Sequence, residues 1–258
     1  MNCRLGNAQR AGYPGKRLLD LLGAGSALLL TMPLVVISAG AVWLYDRESP
    51  WYISERVGWR GRPFRFLKIR TMVLQASSNA IDTTVSGDPR VTPVGRLIRA
   101  LKLDELPQFV HVLTGRMSLV GPRPNVPREV ALYTSEERGL LAARPGITDI
   151  ASIVFADLAD ALADVSDPNI AYNQLVRPWK SRLGLHYVRS ASFGNDVCIV
   201  GYTVSVLFAR RWTLKRLSSL LRRSGAPEDL WRFVLRDQPL RPMSPPGADA
   251  IVTSRSLE

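Results

Sequence analysis

A chain of 258 residues can bury one sizeable core without staples, and its 46% hydrophobic content is ordinary for a globular domain, so a membrane segment must be read from distribution rather than total. The formal net charge of +12 calls for an anionic partner: nucleic acid, a phosphate-bearing substrate or an acidic lipid surface. Two cysteines, Cys3 and Cys198, without CxxC spacing, and two histidines, His111 and His186, give no basis for a disulfide framework, a zinc site or a Ser-His-Asp centre, which leaves carboxylate and arginine chemistry.

Residues 1–15 form a basic N-terminal segment, with Arg4 and Arg10 followed closely by Lys16 and Arg17, no acid, and Gly12, Pro14 and Gly15 to break any long helix. From Leu21 to Tyr45 no residue is charged, a run long enough to cross a hydrocarbon core of about 30 Å as one helix. Pro33 removes a backbone hydrogen bond near its middle and crowds the preceding turn. After the run come Arg47, Arg56, Arg60, Arg62, Arg65, Lys68 and Arg70, so both flanks carry the positive charge of cytoplasmic segments. These features predict a re-entrant membrane helix over 16–46, broken at Met32-Pro33, that enters and leaves on one side. Two readings stay open beside it. A straight span would put one basic flank on the disfavoured side, and a signal peptide, for which Ala39-Gly40-Ala41 resembles a cleavage site, would have an unusually long apolar run.

Farther on, Trp51, Ile53, Val57 and Trp59 alternate, Gly61 to Pro63 turn, and Phe64, Phe66 and Ile69 follow, which predicts two short strands. Gln75 to Pro89 reads as a polar loop. Apolar spacing predicts helices over 94–103 and 106–113, the second closed by Gly115. Asp157, Asp160, Asp164 and Asp167 read as a solvated acidic face. The segment from Val197 to Ala209, followed by Arg210, Arg211, Lys215 and Arg216, suits either an amphipathic helix in the membrane interface or a buried helix with a basic end. Glu228 to Leu235 predicts a last helix, and Pro239, Pro242, Pro245 and Pro246 predict a disordered tail.

Three clusters can carry chemistry. Asp104-Glu105 within Lys102-Leu103-Asp104-Glu105-Leu106-Pro107-Gln108 is, on the plain reading, a capped helix start with acids at the positive end of the dipole. The functional reading uses the same place, because a helix N-terminus also holds phosphate, so one carboxylate can attack phosphorus while its neighbour holds a divalent metal that offsets charge. Magnesium bound by a carboxylate, substrate phosphates and water is the usual arrangement. Gly121-Pro122-Arg123-Pro124 presents Arg123 as a rigid fork, and Lys68-Ile69-Arg70-Thr71 on a strand would aim Lys68 and Arg70 to one face; both suit phosphate, and either could equally be solvated base.

In this order the motifs resemble the bacterial sugar transferase family, the monotopic polyprenyl-phosphate hexose-1-phosphate transferases. The resemblance rests on Lys16-Arg17 with Asp20, the proline-broken run, Lys68-Ile69-Arg70-Thr71-Met72, Gly87-Asp88-Pro89-Arg90-Val91-Thr92, Val94-Gly95-Arg96 with Arg99, Leu103 to Gln108, Met117 to Pro124, and Arg144-Pro145-Gly146-Ile147-Thr148. It overrides the capping reading of Asp104. It implies a helix-dominated α/β fold with a small sheet, of the small catalytic-core type, monotopic, with a re-entrant helix and interfacial helices. The expected divisions are the basic segment 1–15, the membrane helix 16–46, a cytosolic catalytic domain 47–212 and an extension 213–258 with a disordered tail from about 239.

The implied reaction moves a sugar-1-phosphate from a UDP-sugar to polyprenyl phosphate and releases UMP in two steps, the first membrane step of a surface glycan pathway. Asp104 matches the nucleophile, Glu105 the Mg2+ ligand and Arg123 a phosphate-binding arginine; Lys68, Arg70, Arg99 and Asp196 are further phosphate or substrate candidates. Anionic lipids and downstream glycosyltransferases are the other implied partners, a homodimer is left open, and the localisation implied is the inner membrane with the catalytic domain facing the cytoplasm. Departures from the family pattern are Met32 where Ser precedes the proline, with Thr31 as the substitute for backbone satisfaction, Asp149 in place of glycine, and no Gly-Arg pair near Val154. They leave room for a catalytically silent membrane-anchored scaffold of the same family. Nucleic acid is not expected as a partner, since no aromatic-basic recognition motif accompanies the charge.

Overall fold

The computed structural model describes residues 12–74, 88–158 and 167–253. Most of the basic segment 1–15, most of the polar loop 75–89, and Asp160 and Asp164 of the acidic face lie outside the described residues.

The uncharged run forms one helix, α1 (Lys16–Asp46), continuous through Pro33, so the expected break at Met32-Pro33 is corrected: one lost backbone bond does not interrupt the helix. Thr31 Oγ1 donates to the Ala27 carbonyl at 2.7 Å, two residues before the Leu29 carbonyl that Pro33 cannot serve, so the expected substitute does not reach the freed carbonyl. Both ends of α1 are bonded into the rest of the molecule. At its start, Lys16 Nζ meets Asp196 at 2.5 Å, the Arg17 guanidinium donates to the carbonyls of Val112 and Leu113, and Asp20, 1% exposed, accepts from Ser118 Oγ and the Leu119 amide, each at 2.9 Å. At its end Val42 packs with Ile69 and Ile98, and Asp46 receives both terminal nitrogens of Arg70 at 2.6 and 2.8 Å. Between these anchors Ala24, Val35, Ser38 and Ala39 are buried, but the apolar side chains around the helix middle are bare: Leu29 and Leu30 are each 78% exposed, and Val36 and Ile37 are exposed too.

The alternating segment folds as expected, β1 (Trp51–Val57) pairing antiparallel with β2 (Pro63–Ile69). Next come α2 (Pro93–Ala100), capped by Thr92, whose hydroxyl accepts from the Gly95 amide at 2.9 Å, then a 3₁₀ turn (Leu103–Gln108) and α3 (Phe109–Leu113). A second sheet is parallel, β3 (Ser118–Val120) beside β4 (Gly146–Thr148), with α4 (Pro127–Ala131) between them in sequence. Among the described residues the fold is therefore helix-dominated with two two-stranded sheets. A Cβ at Gly121 would collide with the Arg144 carbonyl, so only glycine lets this loop lie against β4.

The remaining helices are α5 (Ile150–Val154), α6 (Pro168–Ala171), α7 (Arg177–Ser190), α8 (Phe193–Ser205), α9 (Arg210–Arg223) and α10 (Glu228–Phe233), with a π turn at Tyr172–Val176 linking α6 to α7. Val120, Ile153, Leu183, Ile199, Leu217 and Leu221 join one core. Two expectations need correction here. The boundary placed at 212/213 falls inside α9, and Leu214, Leu217 and Leu221 belong to the main core, so 213–235 is no separate extension. The tail is not free either: Met243 N donates to the Gln174 carbonyl at 3.1 Å, Gln174 Nε2 to the Val252 carbonyl at 2.7 Å, and Thr134 Oγ1 to the Pro246 carbonyl, with Pro245 and Pro246 buried. Prolines that preclude helix still dock as an extended strap when their carbonyls find donors.

A chain ending after Trp212 is expected to show no cooperative thermal unfolding. Each of the three lost leucines carries ~2–5 kcal/mol as judged by truncation to alanine, against ~5–15 kcal/mol for a whole domain. A chain ending after Gln238 is expected to keep a transition at a lowered midpoint, and calorimetry of both checks this.

Candidate active site

The Leu103–Gln108 turn is not a side-chain-capped helix start. Lys102, ahead of it, is left-handed at φ 56°, a conformation that costs a non-glycine residue about 1–2 kcal/mol, and no side-chain cap is formed. The plain capping role of Asp104 is thus absent. Asp104 is 7% exposed, and among the described residues its carboxylate accepts no hydrogen bond and has Lys68 Nζ, at 3.8 Å, as its nearest cation. Burial raises its pKa, with Lys68 opposing and Glu105 adding to the rise.

Glu105 is its opposite. Lys68 Nζ reaches Glu105 Oε1 at 3.1 Å, and the two Arg123 terminal nitrogens reach Oε2 at 3.1 Å and Oε1 at 2.5 Å. Burial alone would raise the Glu105 pKa, but Arg123 and Lys68 outweigh it and hold the carboxyl far below the usual range. The Glu105 charge in turn holds the Arg123 guanidinium protonated, while burial lowers the pKa of Lys68. Lys68 comes from β2 and Arg123 from the loop after β3, whose amide also donates to Asp149 Oδ2 at 3.3 Å. Asp149 Oδ1 accepts from the Ser152 amide at 2.5 Å, capping α5, which is a structural reason for an acid at that position.

Of the other candidates, Arg99 stays close enough for its charge to oppose the rise in the Asp104 pKa, and the rest are placed elsewhere. Arg70 lies one residue past β2, 6% exposed, and is consumed by Asp46 and the Ser49 carbonyl, so it fastens α1 to β2 and does not share the face of Lys68. Arg99 Nε donates to Thr71 Oγ1 at 2.7 Å. Asp196 is fully buried under Lys16, Tyr13 and Tyr187 and anchors the start of α1. Met32 and Pro33 sit in the bare stretch of α1.

Beside the carboxylate turn opens a cleft of about 230 Å³ lined by Lys68 and Arg123 together with Arg56, Lys180, Tyr172 and Glu129. Sequence reading missed the last four: they come from four separate segments, and only the fold brings them together. Burial lowers the Lys180 pKa to about 8, the Asp149 charge opposing it. For a metal, the described residues contain no group of three or more His, Cys, Asp or Glu side chains. Two adjacent carboxylates are oxygen donors of the kind magnesium takes, and because Lys68 and Arg123 hold both Glu105 oxygens, an ion there would have to displace one of them.

The family model described as "Bacterial sugar transferase" matches residues 11–210. The chain therefore belongs to the bacterial sugar transferase family and is an enzyme of the transferase class. It is 40% identical over 216 residues to the exopolysaccharide production protein ExoY of Sinorhizobium fredii, covering 78% of this chain and 88% of that one. It is 39% identical over 141 residues to a UDP-glucose:undecaprenyl-phosphate glucose-1-phosphate transferase of Caulobacter vibrioides, covering 54% of this chain and 53% of that one. It is 34% identical over 199 residues to a UDP-N-acetylgalactosamine-undecaprenyl-phosphate N-acetylgalactosaminephosphotransferase of Aeromonas hydrophila, covering 74% of this chain and 43% of that one.

The sign of the Glu105 shift gives a test. A carboxyl with a depressed folded pKa stabilises the fold above its unfolded value of about 4.3, and that contribution is lost as pH falls through the folded value. Arg123→Ala removes the strongest source of the depression, so acid unfolding followed by circular dichroism is expected at a higher pH than in the parent chain.

Proposed function

We propose that this chain transfers a sugar-1-phosphate from a UDP-sugar to undecaprenyl or a similar polyprenyl phosphate, giving a polyprenyl-diphosphate sugar and UMP at an early membrane step of exopolysaccharide or capsule synthesis. The observation that carries the reading is the division of labour within one dipeptide. Asp104 keeps an unbonded carboxylate, while Glu105 collects the two cations that a diphosphate would need.

In the first step Asp104 attacks the β-phosphorus, and the bond to the bridging oxygen breaks with its electron pair going to UMP. In the second, polyprenyl phosphate oxygen attacks the aspartyl phosphosugar and returns the Asp104 carboxylate. One phosphoanhydride is exchanged for another through two displacements. Lys68 and Arg123, released in part from Glu105 when substrate arrives, hold the phosphoryl oxygens; raised by burial, Asp104 loses its water shell and gains nucleophilicity. Magnesium carried by Glu105, with Asp104 beside it, would offset the repulsion between carboxylate and diphosphate.

Membrane placement follows from α1. A straight span would put Lys16 and Asp46 on opposite sides of the bilayer, yet both are ion-paired to one polar body. A re-entrant helix, apex near Leu29 to Leu34, satisfies both pairings and buries the bare leucines in lipid. Val197, Val200, Val204, Leu207 and Phe208, exposed on α8 and just after it, extend the same surface toward Arg211, Lys215 and Arg216, which suit anionic headgroups. The pattern supports an inner-membrane enzyme whose body faces the cytoplasm, as the basic flanks of α1 do. Retention of the whole dipeptide with its cations speaks against the silent-scaffold reading.

The expected outcome with detergent-solubilised full chain, magnesium, polyprenyl phosphate and a panel of UDP-sugars is lipid-dependent UMP release from one donor. Asp104→Asn should lower it at least 10³-fold, the order of loss for removing a nucleophile, with an unchanged thermal midpoint. A folded Asp104→Asn protein that still turns over would refute the assignment. So would failure of mass spectrometry to find a sugar-phosphate adduct on Asp104 when the acceptor lipid is withheld.

A further inference from the structure

The cleft beside the carboxylate turn has an excess of positive charge that the fold does not use. Among the described residues, neither Arg56 nor Lys180 forms an ion pair. Arg56 Nε is buried without a hydrogen-bond partner, its guanidinium 5.7 Å from the Phe66 ring centroid. Lys180 Nζ has one polar neighbour, the Tyr172 hydroxyl at 3.5 Å, and lies 5.1 Å from that ring's centroid. Of the acids lining the cleft, Asp149 is spent on the Ser152 and Arg123 amides, and Glu129 forms no salt bridge with either cation. Two desolvated cations without an ion pair, on which Asp149 and Glu129 act only at a distance, lie near aromatic rings and suit a ligand that carries both an anion and a flat ring.

The volume and the chemistry narrow which ligand. About 230 Å³ falls below the ~300 Å³ at which ligand pockets usually begin, so the cleft takes one end of a nucleotide sugar rather than the whole. Lys68 and Arg123 line it and Asp104 does not, so these two cations stand between the nucleophile and the cleft. In phosphoryl transfer the attacking and leaving oxygens lie roughly in line through phosphorus. With the β-phosphate held at Lys68 and Arg123 and attacked from Asp104, the leaving group therefore points into the cleft.

We propose that this cleft seats the leaving nucleoside monophosphate, with Arg56 and Lys180 holding its phosphate and Tyr172 offering a ring face to the base. The assignment rests on the transferase reading with Asp104 as nucleophile. As the Pβ–O bond breaks, its electron pair makes the α-phosphate a dianion, and the two cations offset that charge at the oxygen where it develops. Lys180, pushed down by burial in the free protein, becomes fully protonated when the dianion binds.

Because UMP binding needs no turnover, the test separates this assignment from the reaction itself. UMP is titrated by calorimetry into detergent-solubilised full chain carrying Asp104→Asn, alone and with Arg56→Gln, Lys180→Met or Lys180→Arg. Each neutral substitution is expected to weaken UMP binding about ten-fold or more, the loss of one charge-assisted hydrogen bond, and Lys180→Arg to recover most of it. For variants that fold poorly the unsubstituted chain suffices: UMP, but not uridine, should shield Lys180 from acetic anhydride near pH 8, as mapped by mass spectrometry. Unchanged UMP affinity in both neutral variants, or no shielding, overturns the proposal. So does unchanged UMP affinity together with an altered preference among UDP-sugars, which would place the sugar in the cleft instead. A failure of Asp104 as nucleophile would show in the adduct experiment and leave the UMP titrations readable.

Discussion

Glu105, gripped by Lys68 and Arg123, is the interaction on which the rest of the site depends. Each cation arrives on a segment that α1 fixes. Lys68 is two residues before Arg70, which Asp46 clamps at one end of the helix, and Arg123 is four residues after Leu119, whose amide Asp20 holds near the other. A partly buried ion triad of this kind adds little net stability, because desolvation cancels most of the attraction. What it contributes is position: two cations at defined places beside a carboxylate that has been left without a bond.

Coupling to α1 would set the depth of the proposed site relative to lipid. A helix bonded at both ends to one polar body, with Val35 and Ala39 buried but Leu29, Leu30, Val36 and Ile37 exposed, presents an apolar face with nothing of its own to pack on, and such a face is stable in an apolar medium. The acceptor of the proposed reaction carries its phosphate at the headgroup layer, so a carboxylate turn fastened to the base of that helix meets the phosphate without extracting the lipid. The buried Asp20 and Asp196, far apart in the chain, matter for this reason although neither reaches the carboxylate turn.

Periodicity made several elements legible beforehand. The hairpin 51–69 was readable because alternation in β1 and β2 reflects one half-buried face, and the 16–46 helix because nothing else explains so long an uncharged run. The Asp104-Glu105 pair was recognisable from its motif context. Its local geometry was not: apolar spacing looks alike in a 3₁₀ turn and an α-helix over six residues, and the left-handed Lys102 has no sequence signature. Arg70 was misplaced because alternation was extended one residue beyond the strand, and the boundary at 212 because a basic run on the solvent face of α9 hid the leucines on its other face. The proline-rich segment 239–253 has the composition of a disordered tail, and only donors from Thr134 and Gln174 give it a path.

Composition, charge and motif order by themselves placed this basic chain, with its long apolar helix, in the bacterial sugar transferase family and marked a carboxylate pair with nearby cations as the candidate site. These are local properties, and local sequence encodes them. Tertiary structure alone decided which of many similar Lys and Arg side chains face Glu105, which are spent on helix anchors, and which remain unpaired in the cleft. Lys68, Arg70, Arg56 and Lys180 look equally exposed as letters; their roles are set by the desolvation and partners each meets once distant segments pack, and those are long-range quantities.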